Sequence, residues 1–184
     1  MNMKTLVILI LSIIMGITTL YSQTNYYTES KIFEGVGYKY KCNVSSSKSV
    51  ILYSCNNKLT GQFPKYKATG GLFSYPAEGV KLYQYNAQLE KQIRQVVHAA
   101  FSKYSQPIIV DKSLYIIFYI NSESGSVDEL EFEFVNFGPY SQIPIDVYRE
   151  IENRIKDSIH FEITEFGKTL NFVWTSREVS SYCE

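Results

Sequence analysis

Between residues 112 and 175 the spacing of hydrophobic and polar positions changes repeatedly, and each change predicts a different element. Leu114-Tyr115-Ile116-Ile117-Phe118-Tyr119-Ile120 is an unbroken β-branched and aromatic run, too short for an isolated helix and closed by the turn composition Asn121-Ser122-Glu123-Ser124-Gly125. It reads as a strand entering a hairpin. The return limb alternates, with Leu130, Phe132 and Phe134 on one face and Glu129, Glu131 and Glu133 on the other, the pattern of a strand dry on one side and wet on the other. Pro144 then suits a first helical turn, where its missing N–H costs nothing, and Val147, Tyr148, Ile151, Ile155 and Ile159 follow at helical spacing. Glu150 with Arg154, and Glu152 with Lys156, form i,i+4 pairs expected on the outer side of that helix. After Gly167, Leu170, Phe172 and Trp174 alternate with Thr169, Asn171 and Val173, which predicts a third strand. A helix laid across the apolar side of three strands is the simplest packing for this set.

Upstream, Asn86 is a good N-cap for a long helix on which Leu89, Ile93, Val96, Val97, Ala100, Phe101 and Tyr104 recur on one face, with Pro107 ending it. Such a helix is stable only when packed, so it should join the same core. Tyr38, Tyr40, Cys42 and Val44 alternate with Lys39, Lys41 and Asn43, the serines at 45–47 and 49 break the run, and Val50-Ile51-Leu52-Tyr53 resumes it. Residues 35–55 therefore read as a hairpin. Residues 23–30 read as a loosely held lead-in, 63–67 as an edge strand because of Pro64, and 70–79 as a joint. The expected fold is α+β: an N-terminal β-hairpin region at 23–79, then a long helix and a β-β-α-β unit at 80–184. Together they form one compact unit, an antiparallel sheet with helices packed on one face.

Residues 1–22 carry one cation, Lys4, ahead of an apolar stretch from Leu6 to Leu20, the pattern of a signal peptide. That stretch is shorter than the roughly 20 residues of a membrane span. The expectation is an exported protein starting at Gln23, periplasmic or extracellular in a Gram-negative envelope, with no span after cleavage. Of 18 basic residues, removal of Lys4 leaves 17 against 18 acidic ones, and so even a balance implies no steering toward nucleic acid. Export makes disulfides feasible, and Cys42 with Cys55 is the preferred pair, its loop closure contributing about 3 kcal/mol. Cys183 then remains as a tail residue. The 16 Tyr and 11 Phe suit β-rich packing, or alternatively an aromatic platform for glycan or peptide.

Catalytic patterns are absent from the sequence: no Gly-x-Ser-x-Gly elbow, phosphate-cradling glycine loop, His-Glu-x-x-His or zinc spacing occurs, and no cofactor is implied. His98 falls opposite the apolar stripe of its helix and reads as a surface residue. His160, beside Ile159 and Phe161, is the candidate base, with Asp157 or Glu162 as its carboxylate. The row Glu129, Glu131 and Glu133 reads as a solvated face that discourages edge aggregation, or alternatively as a cation or carboxylate site.

The run 114–120, the turn and glycine at 121–127, the strand at 130–135, the Pro144 helix, Phe161 and the step Gly167-Lys168-Thr169-Leu170 together resemble the C-terminal domain of TonB-type proteins. The resemblance covers about sixty residues. It implies a strand-helix scaffold whose final strand, carrying Leu170, Phe172 and Trp174, accepts an extended peptide by strand addition. The chain departs from that family at Ile163, where a proline is usual, in its much longer first helix, and in lacking a histidine-bearing span and a proline-rich linker; energy transduction does not follow. Its length and character also resemble small uncharacterised secreted proteins of Gram-negative bacteria.

Two functional readings follow. In the first, the protein is a non-enzymatic exported binding module that engages a peptide, glycan or envelope protein through the last strand or the tyrosine-rich hairpin. In the second, it is an exported hydrolase built on His160.

Overall fold

The computed structural model describes residues 25–74, 79–102 and 113–179. The signal segment, Tyr104, Pro107 and Cys183 lie outside the described residues. The elements are β1 (Lys31–Gly35), β2 (Tyr38–Val44), β3 (Ser49–Ser54), α1 (Ala87–Phe101), β4 (Leu114–Ile120), β5 (Val127–Val135), α2 (Ile145–Ser158) and β6 (Val173–Val179). All six strands form one antiparallel sheet in the order β1-β2-β3-β5-β4-β6, so β1 and β6 are its edges. The fold is α+β, with both helices packed on one face of the sheet.

The helix side is closed by alternate residues of the strands. Tyr40 and Cys42 from β2, Val50 and Leu52 from β3, Leu114, Ile116 and Phe118 from β4, and Leu130, Phe132 and Phe134 from β5 meet Leu89, Ile93 and Val97 of α1 and Val147, Tyr148, Ile151 and Ile155 of α2. Tyr148 is the centre of this layer. Its ring stacks on Phe134 at 5.4 Å and meets Phe132 and Tyr27 edge-on, arrangements that add to simple burial. Its hydroxyl donates to the Tyr140 carbonyl at 2.8 Å, so the buried polar atom is satisfied. Complete burial holds the Tyr148 phenol well above its ordinary range.

Local signals act as expected at several points. The Asn86 side chain caps α1 by accepting from the backbone N–H groups of Gln88 and Leu89. Gly125, at φ +74°, ends the β4–β5 hairpin where a Cβ would stand 1.9 Å from the Phe161 carbonyl oxygen, and only glycine allows that approach. Pro144 is the N-cap of α2 rather than its first helical residue.

Other expectations are corrected. The lead-in is not loose: Tyr27 is fully buried, packs on Phe33, Phe134 and Tyr148, and donates its hydroxyl to the Ile143 carbonyl at 2.8 Å. β1 follows it directly. Cys42 and Cys55 are both free thiols. Cys42 lies opposite Leu52 and faces the helices, whereas the exposed Cys55 hydrogen-bonds through its N–H to the carbonyl of Lys39 and belongs to the other face. Side chains alternate across a strand, so these two point apart and no disulfide closes. Glu152 is not on the outer side of α2 but 1% exposed, bridged by Lys156 at 2.6 Å and Arg149 at 3.4 Å. Residues 63–67 form no strand and make only isolated bridges, Lys65 to Leu72 and Tyr66 to Leu170.

Candidate interaction surface

The sheet face turned away from the helices is half closed. Its closure is the work of the 55–74 segment, which the Glu129 carboxylate of β5 and the Tyr119 hydroxyl of β4 hold down. Glu129 accepts from the backbone N–H groups of Lys58 and Leu59, both at 2.7 Å, and Asn57 donates to the Leu130 carbonyl at 2.9 Å. Beneath the segment, Tyr119 is 2% exposed and donates its hydroxyl to Glu131, itself 5% exposed, at 2.7 Å. Burial first and the Glu131 carboxylate second raise the Tyr119 phenol above its ordinary range. The Glu129, Glu131 and Glu133 row is therefore not a uniformly solvated face: each member has a separate anchoring partner, Glu133 accepting from the Ser49 hydroxyl at 3.0 Å.

The last strand has a different phase from the one expected. Val173, Thr175 and Val179 are buried, while Trp174, Ser176 and Glu178 are exposed on the outer face. Leu170 and Phe172 precede β6 rather than form it, and Phe172 packs on the Tyr119 ring at 5.8 Å. The aromatic pair Phe172 and Trp174 thus serves the side away from the helices. On the inner side, Arg177 reaches Glu90 of α1 at 2.6 Å and also donates to the Tyr83 hydroxyl, while Tyr83 and Thr175 share a hydrogen bond at 3.0 Å. These contacts tie the edge strand to α1.

β6 pairs with β4 along its whole length, from Leu114 opposite Val179 to Ile120 opposite Val173. Its other backbone edge receives no backbone hydrogen bond from any described residue. Just before β6, residues 65–67 are fastened to 169–171: Asn171 N–H donates to the Lys65 carbonyl at 2.9 Å and Lys67 N–H to the Thr169 carbonyl at 2.8 Å. This brings Phe63 and Pro64 beside Trp174. With Phe73, Ser74 and Leu82 they line an apolar cavity of about 250 Å³. At the other end of the same face, Ser49, Ser113, Tyr115, Glu133 and Phe137 line a second cavity of about 340 Å³.

The remaining sequence candidates are not assembled into a site. His160 is exposed and joins Ser126 through a backbone bridge. Asp157 and Glu162 are exposed as well, and no hydrogen bond or ion pair links either to His160 among the described residues. The constellation on which the hydrolase reading rests is not formed. His98 is half-buried rather than a plain surface residue. Tyr38, Tyr40 and Tyr53 make no common strip: Tyr40 is fully buried, Tyr38 packs on it edge-on and donates to Asp146 of α2, and Tyr53 lies on the opposite face. Among the described residues no group of three or more His, Cys, Asp or Glu is placed to hold a metal, and no helix is long and apolar enough to cross a membrane.

Residues 23–176 match the family model described as a domain of unknown function, DUF5043. The chain belongs to the DUF5043 family. Its fold is similar to the crystal structure of a DUF5043 family protein from Bacteroides uniformis ATCC 8492, with a TM-score of 0.76 and 34% identity over 84% of this chain and 93% of that one. No curated protein matches it. The DUF5043 match spans both the hairpin region and the helix-containing part, so the 55–74 segment and the start of β6, up to Ser176, belong to one family domain. Sequence reasoning missed Phe63 and Tyr115 as surface features and Pro64 as part of the cavity lining. Phe63-Pro64 between two glycine-marked turns was the available signal, since an aromatic residue ahead of a proline in an irregular segment packs on something or is left exposed.

Proposed function

We propose that this protein is an exported, non-catalytic binding module that takes an extended peptide along the open edge of β6. One observation carries the reading: β6 is a seven-residue edge strand, hydrogen-bonded to β4 on one side and to no described backbone on the other. Within β6 the Ser176 carbonyl accepts from the Arg177 guanidinium at 2.8 Å; N–H and C=O groups of an edge that meet no other backbone are a template for another strand. The edge is also held rigid, since Arg177 and Thr175 fasten it to α1 and to Tyr83, so little order is lost on docking. An exported location follows from the signal-peptide pattern of residues 1–22. The resemblance of residues 112–175 to the TonB C-terminal domain, whose last strand accepts a peptide, points the same way.

Panning a random peptide library against the chain from Gln23 to Glu184 tests this, with the docking site of each enriched peptide read from backbone amide hydrogen exchange. Slowed exchange in Val173–Val179 is the expected result. Enrichment of no peptide, or protection confined to other parts of the fold, overturns the proposal, and a glycan array positive on the same protein would replace peptide with sugar stacked on Phe63 and Trp174.

A further inference from the structure

The outer-face residues of β6 set up two unlike environments on one line. At its start, Trp174 borders the apolar cavity of Phe63, Pro64, Phe73 and Leu82. Phe63 there is 71% exposed and Trp174 is 36% exposed, so two aromatic rings stand open to solvent around a hollow able to hold one large side chain. At its end, Glu178 is exposed and lies opposite Tyr115 of β4, which in turn lies opposite Glu133 of β5. Tyr115 and Glu133 line the second cavity, with Glu178 on the other side of Tyr115 in the sheet, and neither carboxylate forms an ion pair among the described residues; their partners are the hydroxyls of Ser113 and Ser49. A carboxylate pair around an open aromatic ring favours a cation, through charge-assisted hydrogen bonds and the ring face together. The four-residue step from Trp174 to Glu178 spans about 14 Å at the rise of an extended strand. A strand added to β6 places its own residues on that face at the same two-residue period.

We infer that the β6 edge selects a peptide in which a Lys or Arg is followed four residues later by a large apolar residue, paired antiparallel to β6. The inference rests on the reading of β6 as the docking edge. Every pairing in this sheet is antiparallel, and in that direction the residue opposite Glu178 comes first in the peptide and the one opposite Trp174 last. The basic head reaches Glu178 and the Tyr115 ring, with Glu133 adding its field one strand further in. The apolar side chain fills the hollow between Phe63 and Trp174, and Ser176 accommodates any residue between them.

Alignment of the library peptides that protect β6 tests the pattern directly, with affinities then measured on Trp174→Ala and Glu178→Gln chains. Glu178 is exposed and Trp174 is 36% exposed, and urea denaturation of each variant shows that it is folded before its affinities are read. The expected consensus is basic-x-x-x-apolar, with Trp174→Ala weakening binding about tenfold or more, as loss of a buried aromatic anchor does. Glu178→Gln weakens it about two- to fivefold, as befits a solvent-exposed ion pair, and flattens its salt dependence. Peptides that protect β6 without that spacing, or with affinities indifferent to both substitutions, overturn this inference while leaving β6 as the docking edge. Peptides that protect no part of β6 overturn both.

Discussion

The two faces of the sheet draw on the same kinds of residue and end in opposite states. On the helix side, Phe118, Phe132, Phe134, Tyr40 and Tyr148 interlock with no more than 2% exposure, and the layer is closed by whole elements, α1 and α2. On the other side, Tyr119 and Phe172 are just as buried, yet an irregular segment covers them, pinned by Glu129 and by the Gly61 N–H, which donates to the Tyr119 hydroxyl at 3.3 Å. Beyond that segment, Tyr115 and Trp174 stand open. The contrast teaches that burial of aromatics alone does not separate structure from function here; what separates them is what does the covering. A face closed by helices specifies the fold, and a face closed by a loop leaves its margin open to solvent.

The sharpest way to break that contrast is to compare Tyr148→Ala with Trp174→Ala by urea denaturation. Tyr148→Ala should cost about 3–5 kcal/mol, as removal of a fully packed ring does, whereas Trp174→Ala, at a ring that is 36% exposed, should cost about 1–2 kcal/mol. Equal losses would show that the open face is structural after all. A comparison of glycines is next in size. Gly125→Ala drives a Cβ into the Phe161 backbone and should cost about 2–3 kcal/mol, while Gly61→Ala, at a similar φ of +72° but with nothing within 4 Å, should cost only the left-handed strain of about 1–2 kcal/mol.

Smaller again is the polar clasp of the covering segment. Tyr119→Phe leaves the Glu131 carboxylate without its donor and the Gly61 N–H without its acceptor, and should lose about 1–2 kcal/mol, with hydrogen exchange accelerating in residues 57–62 before any other part of the fold. Removing Glu131 as well, by Glu131→Gln, should then add less than it does alone, and strict additivity would argue against the clasp. The slightest perturbation is chemical labelling of thiols in a Cys183→Ser chain. Burial pushes the Cys42 thiol up to about 11, so on the order of a thousandth of it is thiolate at about pH 8. Iodoacetamide should modify the exposed Cys55 at once and Cys42 only when the helix side opens. As pH rises toward the Cys42 value, its labelling should speed up; equal rates at every pH would place both thiols on open surface.

Much of the helix side was legible because local period and global burial agree there. The runs at 114–120 and 130–134, and the stripes through Ile93 and Ile151, each point their apolar residues at the same layer. The α1 cap was legible at Asn86 for the same reason. β1 escaped because Lys31, Ile32 and Glu34 are all exposed on an edge strand, so alternation carries no burial signal, and Tyr27 reaches the core from an irregular segment that no period marks. The glutamate row of β5 looked wet because the residues that use it, Lys58, Leu59 and Tyr119, come from distant stretches of chain or from a neighbouring strand. Trp174 was placed in a continuous alternation with Leu170, yet the short helical turn Gly167–Thr169 and the bridge from Leu170 to Tyr66 delay the strand until Val173. Pairing Cys42 with Cys55 failed on register, which the Ser45–Ser49 turn, with Lys48 at φ +65°, fixes by its own geometry.

The most direct measurement is isotope-edited NMR of the chain from Gln23 to Glu184 bound to a peptide enriched from the library, read for cross-strand contacts between the two backbones. Contacts in antiparallel register along Val173–Val179, with β1 unchanged, are what an open β6 edge predicts. Contacts along Lys31–Gly35 instead, or a peptide held only by side chains with no backbone contact to β6, would contradict it.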